Sequence, residues 1–211
     1  MKDLIIVGAS GLGREVLQMC LEINGLANCW NIKGFIDDNL HALDGLECKY
    51  SIIGTIKDWQ PKENEVFVFA IAAPRAKEQL VNSLLERGAK FETVISPRAF
   101  VADNAQIGQG VVISPFCYIS CNTKIGDFAF FNVHCAVGHD TNIGAYSSMM
   151  SYVDVTGNCC LGKRTYWGSG SRIIPGTKVD SDAHVGAGSV VLRNIKPGIS
   201  VFGNPAKKVE F

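Results

Sequence analysis

Neither sign of charge dominates this chain. Its 211 residues carry 20 Lys and Arg against 20 Asp and Glu, so there is no general electrostatic reason for it to hold DNA or RNA. Long apolar runs are missing as well. The longest, Val66 to Ala73, falls far short of the roughly 20 residues that span a bilayer. Met1-Lys2-Asp3 leads straight into a strand-like run, without the long apolar segment and small-residue cleavage site of a signal peptide, so a cytoplasmic location is expected. No Cys-x-x-Cys pair occurs among the eight cysteines, and Cys159 and Cys160 are adjacent. Metal binding is not expected, and reduced thiols fit a cytosolic chain better than disulfides.

What the chain does have is a period. From Val101 to Val191 every sixth residue is aliphatic or bulky and apolar, beginning Val101, Ile107, Ile113, Ile119. Four places after each comes a small residue, among them Ala105, Thr123, Cys117, Cys135 and Cys159, where a thiol serves as a compact apolar group. A period of six matches neither the 3.6 of an α-helix nor the 2.0 of a strand. It predicts a chain coiled around a triangular core, with one short strand per hexad and three hexads per turn. Residues 18 apart then stack in three columns: Val101 to Val191, Ile107 to Val179, and Ile113, Phe131, Met149, Trp167, Val185. Gly108, Gly126, Gly144 and Gly162 recur with the same spacing, as expected where one corner needs an unusual backbone angle. After Val191 the period stops, and the segment holding Pro197, Gly198 and Pro205 is expected to cap or extend the last coil.

Residues 1–95 follow a different grammar. Leu4-Ile5-Ile6-Val7 reads as a buried strand, Gly8-Ala9-Ser10-Gly11-Leu12-Gly13 as a tight turn, and Val16, Leu17, Cys20 and Leu21 as the apolar side of a helix. Gly34 to Asp38 closes a second strand in paired carboxylates, Val66 to Ile71 is a third, and a helix from about Arg75 to Arg87 stops at Gly88. Strands alternating with helices imply a small Rossmann-like parallel sheet. The expected organisation is an α/β domain over 1–95 and an all-β domain over 96–211, joined at Ser96-Pro97. The glycine turn can hold a phosphate on backbone N–H groups at a helix N-terminus. Asp37 and Asp38 lie where such a fold meets a ribose or base. About ninety residues make only half of a doubly wound dinucleotide fold, which argues against a nicotinamide site.

The strand-Gly-Ala-Ser-Gly-x-Gly-helix start, the unbroken hexads and the terminal Gly203-Asn204-Pro205-Ala206-Lys207 together resemble bacterial sugar acyltransferases of the NeuD/PglD type. These are left-handed β-helix enzymes that use acetyl-CoA as co-substrate and pack as homotrimers. The resemblance implies an acetyl-CoA-dependent N-acetyltransferase acting on the amino group of a nucleotide-linked amino-deoxy-sugar. O-acetylation of a sugar such as sialic acid, and a non-catalytic nucleotide-sugar-binding trimeric scaffold, are the competing readings. Val137-Gly138-His139-Asp140 resembles the family's catalytic stretch. His139 would be the base that takes a proton from the attacking nucleophile, and Asp140 would orient it. Relatives carry Glu at the Asp140 position, one methylene longer. By position, the Gly157 N–H would steady the thioester oxyanion. Gly168, Ser169 and Ala187 would line the pantetheine path, Ser148 falls where relatives have a CoA-contacting histidine, and Lys207 and Lys208 would meet CoA phosphates. Ser10, Gly11 and Leu12 are implied near the sugar or phosphate, Asp37 and Asp38 at the nucleoside, and Ala72 and Ala73 at the pocket's edge. Leu12 replaces a common histidine. γ-Class carbonic anhydrases share the prism, and His134 and His139 have the offset of two zinc ligands. The third ligand would fall on Arg98, so no metal is implied.

Overall fold

The computed structural model describes residues 1–209. The chain divides into two compact units, Met1–Val94 and a second that starts at Ile95.

The first unit contains β1 (Lys2–Val7), α1 (Gly11–Ala27), β2 (Trp30–Ile36), β3 (Ile52–Gly54), β4 (Glu65–Phe69) and α2 (Pro74–Glu86). The strands form one parallel sheet in the order β3-β2-β1-β4. Leu4 to Val7 are fully buried, which is why β1 reads as a continuous apolar run rather than an alternating one. Gly13 lets α1 approach the end of β1, because a Cβ there would run into the Gly8 carbonyl. Pro74 sits in the first turn of α2, where no intrahelical N–H is needed. β3 was not expected: three partly exposed residues at the sheet edge are too few to show a period. The order of strands reverses between β1 and β4, so a crevice opens at the carboxyl ends of those two strands.

The second unit is a left-handed parallel β-helix. Two-residue strands stack into three faces. Face I runs from Val112–Ile113 to His184–Val185, face II from Phe100–Val101 to Val190–Val191, and face III from Gln106–Ile107 to Lys178–Val179. Each strand pairs in parallel with the one 18 residues on, as in Ile119 with Val137 and Phe131 with Met149. The three predicted columns point inward and form the core. Its widest member, Trp167, is fully buried with its indole N–H donating to Thr165 Oγ1 at 3.1 Å, so the polar atom is not orphaned.

The glycine expectation needs correction. The left-handed positions are every sixth residue from Gly110 to Gly188, and most carry side chains, including Phe116, Asn122, His134, Asp140 and Tyr152. Gly108, Gly126, Gly144 and Gly162 are not among them. They are required by close approach, since a Cβ on any of them would lie against the next coil. Beyond Val191 the chain does extend the solenoid. Ser200–Phe202 adds a parallel strand to face I, and Lys207–Val209 folds back antiparallel on it. Among the described residues no helix is long and apolar enough to cross a membrane, and all eight cysteines are free thiols.

Candidate active site

Face II passes into face III through a column of tight corners, and residues 138–141 form one of them. Its backbone is pinned on both sides. The Asp140 N–H donates to the Cys121 carbonyl at 3.1 Å, and the His139 carbonyl accepts from the Asn158 N–H at 2.9 Å. From this fixed base the His139 Nδ1 meets Asp140 Oδ2 at 2.7 Å. The shorter carboxylate therefore reaches the ring directly, without the methylene that relatives have. That pairing assigns the proton to Nδ1 and leaves the Nε2 lone pair available. The His139 hydrogen bond, and after it one from Asn122, holds the Asp140 carboxyl below the usual carboxylate range.

Gly157 lies one coil further along the same edge. A Cβ there would sit 2.8 Å from His139 Nε2, so the imidazole rests over the space a side chain would fill. The Gly157 N–H donates to no acceptor among the described residues, leaving a donor beside the imidazole. Side chains of His139 and Asp140 are 56% and 47% exposed, so a single chain does not keep water from this pair.

The implied CoA-contacting residues lie elsewhere on the solenoid. Gly168, Ser169 and Ala187 occupy the corner column between faces I and II, and a Cβ on Gly168 would strike the Ala187 backbone. Ser148 is wholly buried on face I. Within one chain this edge and the His139 edge flank face II on opposite sides. Lys207 and Lys208, together with Arg193 and Lys196, line a cavity of about 560 Å³ at the last coil. Neither Arg193 nor Lys196 was singled out in the sequence, because nothing periodic marks them. His134 is sandwiched between Phe116 and Tyr152, with ring centroids 4.9 and 4.7 Å apart. It belongs to the corner column between faces I and II, so its five-residue offset from His139 does not make a pair.

In the first unit the implied substrate residues gather at the carboxyl edge of the sheet. Ser10, Gly11 and Leu12 follow β1, Asp37 and Asp38 follow β2, and Ala72 and Ala73 follow β4. Ser10 is the N-cap of α1 but makes no side-chain cap bond, and the first turn holds no acidic residue. The helix start is therefore electropositive toward the crevice. Asp37 is also engaged within the fold. Its Oδ2 accepts from the Ala9 N–H at 2.7 Å and its Oδ1 from the Asn39 N–H at 2.8 Å, tying the glycine turn to β2. Asp38 accepts from the Lys57 N–H at 3.1 Å. Arg14, whose place in the sequence marks it only as a helix-surface residue, lines a groove of about 400 Å³ together with Gly11, Lys49 and Tyr50.

Residues 3–84 match the family model of the PglD N-terminal domain. Over 99% of this chain and 100% of its own, the acetyltransferase domain of PglB from Neisseria gonorrhoeae FA1090 has the same fold, with a TM-score of 0.90 at 26% identity. The first unit therefore matches the PglD N-terminal domain, and the whole chain shares the fold of the PglB acetyltransferase domain. The PglB domain has also been solved in complex with acetyl coenzyme A, and in that form is 27% identical. The same fold is shared by PerB from Caulobacter crescentus, solved with CoA and GDP-perosamine, at a TM-score of 0.88 and 24% identity over 100% of this chain and 98% of that one. Among curated proteins, a chloramphenicol acetyltransferase of Klebsiella aerogenes is 35% identical over 66 residues, 31% of this chain and 31% of that one. The match thus spans about a third of the length of the curated relatives.

Proposed function

We propose that the protein is an acetyl-CoA-dependent N-acetyltransferase acting on the amino group of a nucleotide-linked amino-deoxy-sugar, assembled as a homotrimer. The observation that carries this reading is the corner at His139: Nδ1 engaged by Asp140, Nε2 free, and an unpaired Gly157 N–H beside it. A sugar amine attacks the acetyl carbonyl carbon as His139 Nε2 removes its proton. Negative charge builds on the carbonyl oxygen, which the Gly157 N–H stabilises. Collapse expels the CoA thiolate, and the imidazolium returns the proton to it. Asp140 steadies the charged ring and keeps it in one orientation.

Two further features support the substrates. The basic cavity at the last coil, with Arg193, Lys196, Lys207 and Lys208, suits the CoA phosphates. The crevice of the first unit, with the open start of α1, suits a nucleotide diphosphate. Leu12 offers no polar contact at a place where relatives carry histidine, so any contact it makes to the sugar is apolar. The exposure of His139, more than half in one chain, supports the trimer, because a second copy would exclude water from it.

The test is acetyl transfer from acetyl-CoA across UDP-, GDP- and dTDP-linked 3-amino and 4-amino sugars, with the hydroxyl analogues as controls. Transfer to an amine, absent with the hydroxyl analogue, is the expected result; transfer to the hydroxyl alone overturns the N-acetyl assignment. His139→Ala is expected to lower turnover by about 10²- to 10⁴-fold, the scale of general-base catalysis. Full activity in that variant ends the proposed role.

A further inference from the structure

Asp140 has two carboxylate oxygens, and only one faces the imidazole. The other is held by a ladder that runs down the same edge. Asn104 Nδ2 donates to Asn122 Oδ1 at 2.8 Å, and the Asn122 N–H donates back to Asn104 Oδ1 at 3.1 Å. Asn122 Nδ2 then donates to Asp140 Oδ1 at 3.1 Å, while Asp140 Oδ2 meets His139 Nδ1 at 2.7 Å. The order is directional. With Asn122 Oδ1 occupied by Asn104, its NH₂ group is the end turned toward the carboxylate, which can only accept.

We propose that Asn122 is a positioning residue for the acyl transfer, acting through Asp140 to fix the tautomer of His139, with Asn104 as its backstop. This rests on the roles given above to His139 and Asp140. The need follows from exposure. A carboxyl torsion is a broad, roughly two-fold rotor, and the Asp140 side chain is 47% exposed. Left alone, it would exchange its bond to His139 for water. A bond on Oδ1 stops the rotation that would take Oδ2 away from the ring, and linked bonds reinforce one another. The pull of Asn122 on the Asp140 carboxyl, second to that of His139, has the same origin.

A merely structural ladder would also hold neighbouring coils together, so the test must separate the two roles. Asn122 adopts the left-handed conformation, φ 56°, and glycine takes that conformation without strain. Asn122→Gly therefore removes the carboxamide while sparing the backbone. Asn122→Asp tolerates the same φ but replaces the donor with a second carboxylate. Both are expected to lower kcat about tenfold, the loss of one charge-assisted bond, with KM for both substrates unchanged. In an Asp140→Asn background, Asn122→Gly is expected to cost nothing further. Imidazole ¹⁵N shifts should report the Nδ1–H form in the native protein and a mixture of tautomers in Asn122→Gly. An additive loss in the double variant, or an unaltered tautomer, overturns the proposal. The nitrogen spectrum needs no turnover, so it decides the role of Asn122 even if the screened sugars show that the assigned reaction is wrong.

Discussion

A side chain that is absent sets the geometry around His139. Because a Cβ on Gly157 would lie 2.8 Å from Nε2 and 2.9 Å from Cε1, any larger residue must push the imidazole aside. Gly157→Ala keeps its own N–H, so a loss of activity in that variant reports displacement of the ring rather than loss of the donor. The expected fall in kcat is about 10²-fold, the cost of misplacing a reacting group by an ångström or so, with thermal stability nearly unchanged; steady-state kinetics beside a melting curve would check it. Wild-type kcat in Gly157→Ala would mean that the ring works from some other position. At this scale the sequence is informative where the partners are adjacent. His139 and Asp140 sit side by side at a polar corner, and the resemblance implied their pairing, although the direct bond across the shorter carboxylate is seen only in the structure. Asn104 and Asn122 could not be read this way, since in the sequence they look like ordinary turn residues. Only the stacking of coils, 18 residues apart, brings these two side chains into one line with Asp140.

The elements are joined by two kinds of glycine, and substitution separates them. Gly144 has no unusual φ, but a Cβ there would lie against the Gly162 and Lys163 backbone; Gly176 has φ +72° with open space around it. Gly144→Ala is expected to cost about 1–3 kcal/mol by overpacking, and Gly176→Ala about 1–2 kcal/mol through the left-handed backbone alone. Urea denaturation would measure both. Gly176→Asn should recover most of the second loss, whereas no replacement should rescue the first. The hexad pattern revealed the inward columns because each coil has the same length and buries the same position. It could not distinguish a corner that needs left-handed backbone from one that needs thinness, since glycine satisfies both. β3 and the antiparallel return at Lys207–Val209 stayed hidden for a related reason, each being three residues long. In α2, Lys77 is buried, and burial pushes its ammonium down to about 7 from 10.5. The unfolded chain then binds more protons above pH 7, so stability rises with pH; below pH 7 both states are charged and the penalty is complete. Buried Cys20, raised to about 12 from 9.0, acts in the opposite sense only above pH 9. Between pH 7 and 9 the gain from Lys77 is at most about 1.4 kcal/mol per pH unit. Lys77→Met is expected to flatten that rise in denaturation curves, and an unaltered slope would assign it to other groups.

At the scale of the whole molecule, the two halves of the proposed site do not meet within one solenoid. His139, Asp140 and Gly157 line the edge between faces II and III, while Gly168, Ser169 and Ala187 line the edge between faces I and II. The flank of face II also carries exposed stacked rings: Phe100 on Tyr118, with centroids 4.9 Å apart, and Phe116, His134 and Tyr152 in sequence. Apolar rings clustered in this way are what a partner surface covers. Sequence periodicity could show the rings and the histidine but not their need for a neighbour, because exposure is a property of the folded chain. The proposed cyclic trimer would resolve both points, with the His139 edge of one copy facing the Ser169 edge of the next. The arrangement predicts complementation. Homotrimers of His139→Ala lack the base, and homotrimers of Ser169→Trp are blocked along the cofactor path, so each should be nearly inactive. When equal amounts are unfolded and reassembled together, any mixed trimer contains a seam that takes His139 from one chain and Ser169 from the other. Random assembly makes roughly one seam in four fully native, and roughly a quarter of wild-type activity is the expected recovery. If mixed trimers form, as a mass measurement can verify, and activity stays at the level of the separate variants, the site is not shared between copies.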